Sequence, residues 1–297
     1  MLNGIKSTFS IKDMENFSGI KQHTIRIWEK RYNLLEPERT DCNIRFYDAR
    51  NFEKLLNVSL LYHNGYKISK IARLSEEELI QKTDELGRQR FVDNSYHHYF
   101  KLAMLSFDVD LFNKTYQKLL ALKPLSHIFL KILFPFLNKV GHLWQTQSIK
   151  PSHEHFVSYL ILQKLQIAIA EAQKNIKPAN KAYVLYLPEG ETHELGLFYI
   201  QYALLEQGEN CIYLGSNLSM ECLQPVSENF AAIHFVSYCT IKLDDVDAYL
   251  KKFKKTYLHH PKHKLHFISP VKEMGNQFKN ESITGYTSLN EFLETLN

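Results

Sequence analysis

From residue 182 onward, short runs of β-forming apolar residues return at intervals with helix-forming text between them, and this alternation restricts the carboxyl-terminal part to an α/β architecture. The runs span 182–187, 211–214, 231–237 and 264–269, with a weaker fifth at 284–286; residues 244–255 are one of the helical intervals. Units of this kind wind into a doubly wound parallel sheet of the flavodoxin-like type. Such sheets bind ligands at the carboxyl ends of their strands.

The loop after the first of these strands reads Pro188-Glu189-Gly190-Glu191-Thr192-His193-Glu194-Leu195-Gly196 and opens a helical run over 195–206. A histidine two residues after a carboxylate can present one ring nitrogen outward while the carboxylate fixes the other, which suits a metal-ligating imidazole. Gly196 lets the backbone come close to a flat ligand. On spacing alone, an ordinary loop with a solvated histidine fits equally well. Neither GxGxxG nor GxxxxGK[ST] occurs, which argues against dinucleotide or nucleoside-triphosphate binding.

The chain's 297 residues suffice for two or three domains. With 44% hydrophobic and 23% charged residues, the text is that of a soluble globular protein. It contains neither an apolar run of membrane-spanning length nor the core of a secretion signal. Cys42, Cys211, Cys222 and Cys239 form no CxxC pair, so buried thiols in a reducing cytoplasm are expected. Charge is uneven. Residues 1–74 hold 13 Lys or Arg against 8 Asp or Glu, a net of +5, whereas the whole chain is +4. A polyanionic partner is therefore sought in the amino-terminal quarter.

That quarter has the spacing of a helix-turn-helix. Ser10 is placed to cap a first helix with Ile11, Met14 and Phe17 on one side; Ser18-Gly19 breaks it, and 21–32 resumes with Ile25, Trp28 and Tyr32. Arg26, Lys30 and Arg31 lie on or beside the second helix, available to phosphates or base edges. Residues 34–50 then carry Pro37, a polar turn at Asp41-Cys42-Asn43 and Arg45-Phe46-Tyr47, a short hairpin with Arg39 and Arg45 on its arms. Asp48 caps a helix with Phe52, Leu55, Leu56, Ser59 and Leu60 inward; Gly65 ends it and 68–74 adds a short helix. Residues 76–90 read as a connecting helix or linker, opened by Ser75 and lacking a long heptad run.

From 91 to 173 the periodicity is helical almost throughout, with breaks near 106–108, 123–124 and 146–152, which predicts a four-helix bundle. Trp144 is followed after nine residues by Glu154-His155. A packed Trp and a helix-capping Glu account for that pair without any ligand. The fold expected is thus multidomain α and α/β: a winged helix-turn-helix over 1–75, the linker over 76–90, a four-helix bundle over 91–174 and the flavodoxin-like sheet over 181–297.

Two resemblances sharpen these expectations. The segment TIRIWEKRYNLLEPERTDCNIRFY resembles the MerR-type winged-helix signature. That resemblance implies DNA contacts from Thr24, Arg26, Arg31 and Tyr32 on the recognition helix and from Arg39, Arg45 and Tyr47 on the wing, with Trp28 and Phe46 in the core. Glu-x-His-x-x-Gly after a first strand resembles the cobalamin signature of the methionine-synthase and mutase type. By position, His193 is implied as the cobalt ligand, Glu191 as its orienting carboxylate and Gly196 as the close-approach residue.

Trp, nine residues, then Glu-His is similar to the light-sensing cobalamin-dependent repressors in which such modules are fused to MerR-type domains. This similarity implies that Trp144 covers, and Glu154 and His155 help hold, the upper adenosyl group of adenosylcobalamin bound between bundle and sheet. Ser237 and Thr240 stand in the family's Ser-x-Leu or Ser-x-Thr region beside the slot for the nucleotide tail. The chain departs from the pattern at Ser269-Pro270-Val271, where the family has paired glycines, and at Gln145, where light-sensing relatives carry a histidine.

The expectation is a cytoplasmic, non-enzymatic transcription regulator of a double-stranded DNA operator. Adenosylcobalamin, and through it light, would control the association of its protomers. A cofactor-independent repressor with a degenerate cobalamin fold and a corrinoid carrier or enzyme domain remain open as alternatives.

Overall fold

The computed structural model describes residues 8–40, 42–89, 93–177, 180–271, 274 and 281–296. Asp41 of the expected wing turn, Arg90 and Phe91 at the expected linker–bundle boundary, 178–179 of the polar stretch before the sheet, and Asn297 lie outside the described residues. The chain divides into two compact units, Met1–Ile161 and Leu162–Asn297.

In the first unit, β1 (Phe9–Ser10) leads into α1 (Ile11–Ser18). Ser10 closes a capping box: its hydroxyl accepts from Asp13 N at 3.1 Å while Asp13 takes the Ser10 N–H at 2.9 Å, satisfying two otherwise orphaned donors. Gly19, at φ +74°, ends the helix in the left-handed conformation that glycine adopts without steric cost. The turn releases α2 (Gln22–Tyr32), which Asn33 terminates in the same way. Strands β2 (Glu38–Arg39) and β3 (Arg45–Tyr47) form the wing, and β1 joins them to give the order β1-β3-β2. This third strand was not anticipated, since two residues carry no periodicity.

Asp48 accepts from Asn51 N and starts α3 (Ala49–His63). Phe9 stacks on Phe52 at 4.1 Å between centroids and Phe17 meets both edge-on, the centre of a small core that also buries Met14 and Trp28. The short α4 (Ile68–Ile71) and α5 (Glu76–Gln89) follow, the latter opened by a Ser75–Glu78 capping box.

Helices α6 (Asp93–Ser106) and α7 (Val109–Leu120) pack on each other, with Asp108 as the α7 cap. Next, α8 runs as α-helix over Leu125–His127, π-helix over Ile128–Leu133 and α-helix over Phe134–Gln145. Pro135 stands two residues after the π segment; lacking an N–H, it cannot close the i→i−4 bond to Lys131, and a widened turn accommodates the loss. Helix α9 (Pro151–Ala172) is the fourth long helical run; at its start Phe107 stacks on His153 and meets Phe156 edge-on.

The second unit holds five parallel strands: β4 (Lys181–Pro188), β5 (Cys211–Leu218), β6 (Ala232–Tyr238), β7 (Lys264–Ile268) and β8 (Ile283–Tyr286). Their order, β5-β4-β6-β7-β8, is the flavodoxin-like 2-1-3-4-5 winding, and the weak fifth run is a full member of the sheet. Leu185, Leu187, Val236 and Ile268 pack on one face against α10 (Leu195–Glu206) and α12 (Leu289–Glu294). Val184, Tyr186, Phe235 and Phe267 pack on the other against α11 (Val246–Tyr257). The strand order reverses between β4 and β6, so their carboxyl ends bound the crevice in which such sheets bind ligands. Of the cysteines, only Cys239 is buried; Cys211 is half-buried, while Cys42 and Cys222 are exposed, which corrects the expectation of buried thiols. No described helix is long and apolar enough to cross a membrane.

Candidate functional site

At that reversal, the loop after β4 meets the loop after β6 around one carboxylate. Glu191 is 0% exposed. Its Oε1 accepts from the backbone N–H groups of Thr192 and His193, both at 2.9 Å, and from His193 Nδ1 at 2.6 Å. Its Oε2 accepts from the Thr240 N–H, from the Thr240 hydroxyl at 3.0 Å and from the Ile241 N–H at 3.0 Å. Burial pushes the Glu191 pKa up, but the donors of His193, Ile241 and Thr240 outweigh it and bring the value down to about 2.

The consequence falls on the histidine. Facing a permanent anion, Nδ1 carries the ring proton, so in the neutral imidazole the Nε2 lone pair is directed away from Glu191. The His193 side chain is 66% exposed, which leaves that lone pair accessible. A second set of bonds fixes the loop itself. Gly190, at φ +86°, donates to Asn217 Oδ1 at 2.9 Å, and Asn217 N donates to Glu191 O at 3.0 Å. Glu194 accepts from the Tyr213 hydroxyl at 2.8 Å. Asn217 carries no motif; its one sequence signal is a polar residue closing an otherwise strand-like run.

Gly196 is required here for a reason that spacing does not reveal: a Cβ on it would lie 2.3 Å from Cε1 of Tyr238, whose ring covers the glycine. Ser237, the neighbour of that tyrosine, is fully buried, and its hydroxyl has no hydrogen-bond partner. A buried hydroxyl without a partner is rare enough to mark a place where a polar ligand atom fits. Thr240, expected beside the nucleotide-tail slot, instead gives both its N–H and its hydroxyl to Glu191.

In the first unit, Trp144 lies in the last turn of α8 and is 51% exposed, an unusual state for so large an apolar surface. Glu154 lies in the first turn of α9; it accepts from the Ser158 hydroxyl at 2.6 Å and has His155 Nε2 at 3.5 Å. The turn over 146–150 joins these two helix ends.

The DNA-reading candidates divide. Arg26 and Arg31 are exposed on α2, Thr24 and Tyr32 are half-buried on it, and Arg39 is exposed on the wing, where it donates to Asn43. Two expectations for the wing are corrected. Tyr47, expected to reach phosphates, is 0% exposed and donates to Glu29, while Phe46, expected in the core, is only half-buried. Strand residues alternate in facing, and pairing with β1 turns Tyr47 inward. Arg45 is tied to the same Glu29 at 3.3 Å with 33% of its side chain exposed, so a phosphate contact must compete with that ion pair. Ile44, 64% exposed at the wing tip, and Ile27, 52% exposed on α2, are apolar members of this surface that charge counting overlooks.

Comparison with known proteins matches residues 9–78 to the MerR HTH family regulatory protein model and residues 97–169 to a B12 binding domain. The HTH-type transcriptional repressor CarH of Myxococcus xanthus is 27% identical over 222 residues, 73% of each chain. CarA, a repressor from the same organism, is 24% identical over 235 residues, 77% of each chain. Among solved structures, the monomethylamine corrinoid protein of Methanosarcina barkeri superposes with a TM-score of 0.53 at 15% identity, covering 69% of this chain and 98% of that one; this likeness establishes the fold alone.

Proposed function

We propose that this chain, which joins a MerR-type helix-turn-helix to a B12-binding domain and is homologous to the CarH and CarA repressors over most of its length, is a DNA-binding transcription regulator that senses cobalamin. The observation that carries the reading is the Glu191–His193 pair at the β4–β6 crevice. An imidazole whose inner nitrogen is locked by a buried anion presents a single accessible lone pair, the donor expected of a lower cobalt ligand. The unpartnered Ser237 hydroxyl fits a cofactor with polar groups to be received.

In this reading His193 binds cobalt, Glu191 holds its tautomer, and Thr240, the Ile241 N–H and Asn217 hold Glu191 and its loop. Trp144, Glu154 and His155 recognise an upper adenosyl group. Bound adenosylcobalamin supplies a cobalt–carbon bond that light can break. On the DNA side, Thr24, Arg26, Arg31, Tyr32 and Arg39 face the operator, with Arg45 joining them if Glu29 releases it. The regulator works without catalysis: the cofactor state shifts the association of protomers, and linked winged helices bind paired half-sites more tightly than single ones.

Two observations favour a second reading, a regulator that keeps the fold without the cofactor. Ser269-Pro270-Val271 fills the place of paired glycines, and the Tyr238 ring lies against Gly196. Titrating the full chain with adenosylcobalamin in the dark separates the two. A saturable absorbance change that His193→Ala alters supports cobalamin sensing, whereas no retained cobalt spectrum in the wild type assigns the cofactor-independent role.

A further inference from the structure

The turn that separates Trp144 from Glu154 is bonded to the helix-turn-helix. After α8, Gln147 N donates to Trp144 O and Ser148 N to Leu143 O, both at 2.9 Å, with Gln147 at φ +57°. This is the Schellman ending of a helix with glutamine in the left-handed position that glycine usually takes, so the turn carries backbone strain that its surroundings hold in place. Thr146 Oγ1 reaches back to His142 O at 3.0 Å and lies 3.2 Å from Ser148 Oγ. Ser148 is 1% exposed, and its Oγ accepts from Asn16 Nδ2 of α1 at 2.8 Å.

Beyond that bond, α1 is tied to the recognition helix. Glu15, the neighbour of Asn16, accepts from Gln22 Nε2 at 2.8 Å and pairs with Lys21 Nζ at 2.9 Å, which anchors the amino-terminal end of α2. The last turn of α1 has further holds: Lys101 Nζ of α6 donates to Phe17 O at 2.7 Å, and His63 Nε2 of α3 lies 3.2 Å from Ser18 O. A bonded path thus runs from Trp144 O through the turn and Ser148 to α1, and on to the helix that carries Arg26 and Arg31. Contiguity is not coupling by itself; the path needs an element with two arrangements that both ends bias. The strained turn, held from α8 on one side and from α1 on the other, is such an element.

We propose that the Asn16–Ser148 bond carries the state of the Trp144 and Glu154 helix ends to DNA binding, with Ser148 as a positioning residue for the recognition helix. The proposal rests on the reading of Trp144 and Glu154 as the grip on an upper adenosyl group. Holding or releasing that group shifts the balance between the turn seen here and a relaxed one, in which Gln147 leaves the left-handed conformation and Ser148 withdraws from Asn16. In the relaxed form α1 loses one of the holds that set α2. This route lies within one chain and adds to any change in protomer association.

The test uses the full-length chain and a duplex that the wild type selects from a randomised pool. DNA affinity is measured in the dark with and without adenosylcobalamin for wild type, Asn16→Ala, Ser148→Ala and the double variant. Cofactor absorbance, melting temperature and solution mass are followed in parallel. The quantity read is the ratio of loaded to apo affinity. Each single variant should bring that ratio at least about threefold closer to one, and the double variant no further than either single. Cofactor absorbance and the cofactor's effect on solution mass should stay as in the wild type. A purely structural role would instead weaken DNA binding equally with and without the cofactor. If Ser148→Ala does not fold, Asn16→Ala, at a half-buried position, carries the test. A wild type that retains cobalamin but has a ratio of one, or a ratio that the variants keep, overturns this proposal alone. So does a ratio lost together with the mass response, which would place the effect in protomer association. A wild type that retains no cobalamin overturns the cobalamin reading and this proposal with it.

Discussion

At the residue scale, the chain's chemistry turns on one carboxylate with six donors. Glu191→Gln removes the anion that fixes His193, and a glutamine amide cannot accept from both sides as the carboxylate does. Cobalamin affinity, followed by absorbance, is expected to fall roughly 10–100-fold, the usual cost of losing a group that orients a metal ligand. The same residue sets an acid limit. Its pKa is about 2 in the folded chain against an ordinary 4.5. The stability it contributes is therefore fully present above about pH 4.5 and is lost as pH falls toward 2. Urea midpoints of wild type and Glu191→Gln should differ by a constant amount at neutral pH and converge below pH 4.5.

Gly196 gives a sharper test of packing. Gly196→Ala forces a methyl into the Tyr238 ring and should cost about 1–3 kcal/mol. Adding Tyr238→Ala should recover part of that loss, and a double variant no more stable than Gly196→Ala would show that the two residues are uncoupled.

At the element scale, the wing separates residues that reach outward from those that build the hairpin. With Arg39 placed on a phosphate, as proposed, Arg39→Ala should weaken DNA binding at every sequence and lower the salt slope by about one. Tyr47→Phe should leave that slope unchanged. It should instead lower stability by about 1 kcal/mol, because Glu29 loses a buried donor. A changed salt slope in Tyr47→Phe, with stability intact, would return that side chain to the DNA surface. The register places the two on one face of the hairpin, Arg39 opposite Arg45 and Tyr47 two residues further along β3; what separates them is that Tyr47 is buried where β3 pairs with β1, whereas Arg39 is exposed.

At the scale of the whole molecule, a cofactor controls DNA binding only if it favours one protein state over another. Operator affinity measured in the dark should differ between the apo and adenosylcobalamin-loaded chain by roughly 5–150-fold, the range of typical coupling energies. Illumination with green light should remove most of that difference and change the solution mass. A loaded chain whose operator affinity and mass are the same in dark and light would leave cobalamin sensing in place and remove the light switch.

The sequence by itself determined the type and order of the longer elements, though not the two-residue β1 or the π-helical turn within α8. Ser10, Asp48 and Ser75 announced helix starts because a cap acts on backbone groups within three residues of itself, and the strand runs announced a parallel sheet because apolar periodicity is local. Glu191 and His193 were legible together for the same reason, lying two residues apart on one loop. Tertiary structure decided what depends on chain segments far apart in sequence. Thr240 and Ile241 reach Glu191 across about fifty residues, Tyr238 explains Gly196 across forty-two, and a two-residue strand turns Tyr47 inward. A residue's neighbours along the chain fix its local conformation, but its partners across the fold decide which of its atoms are free to act.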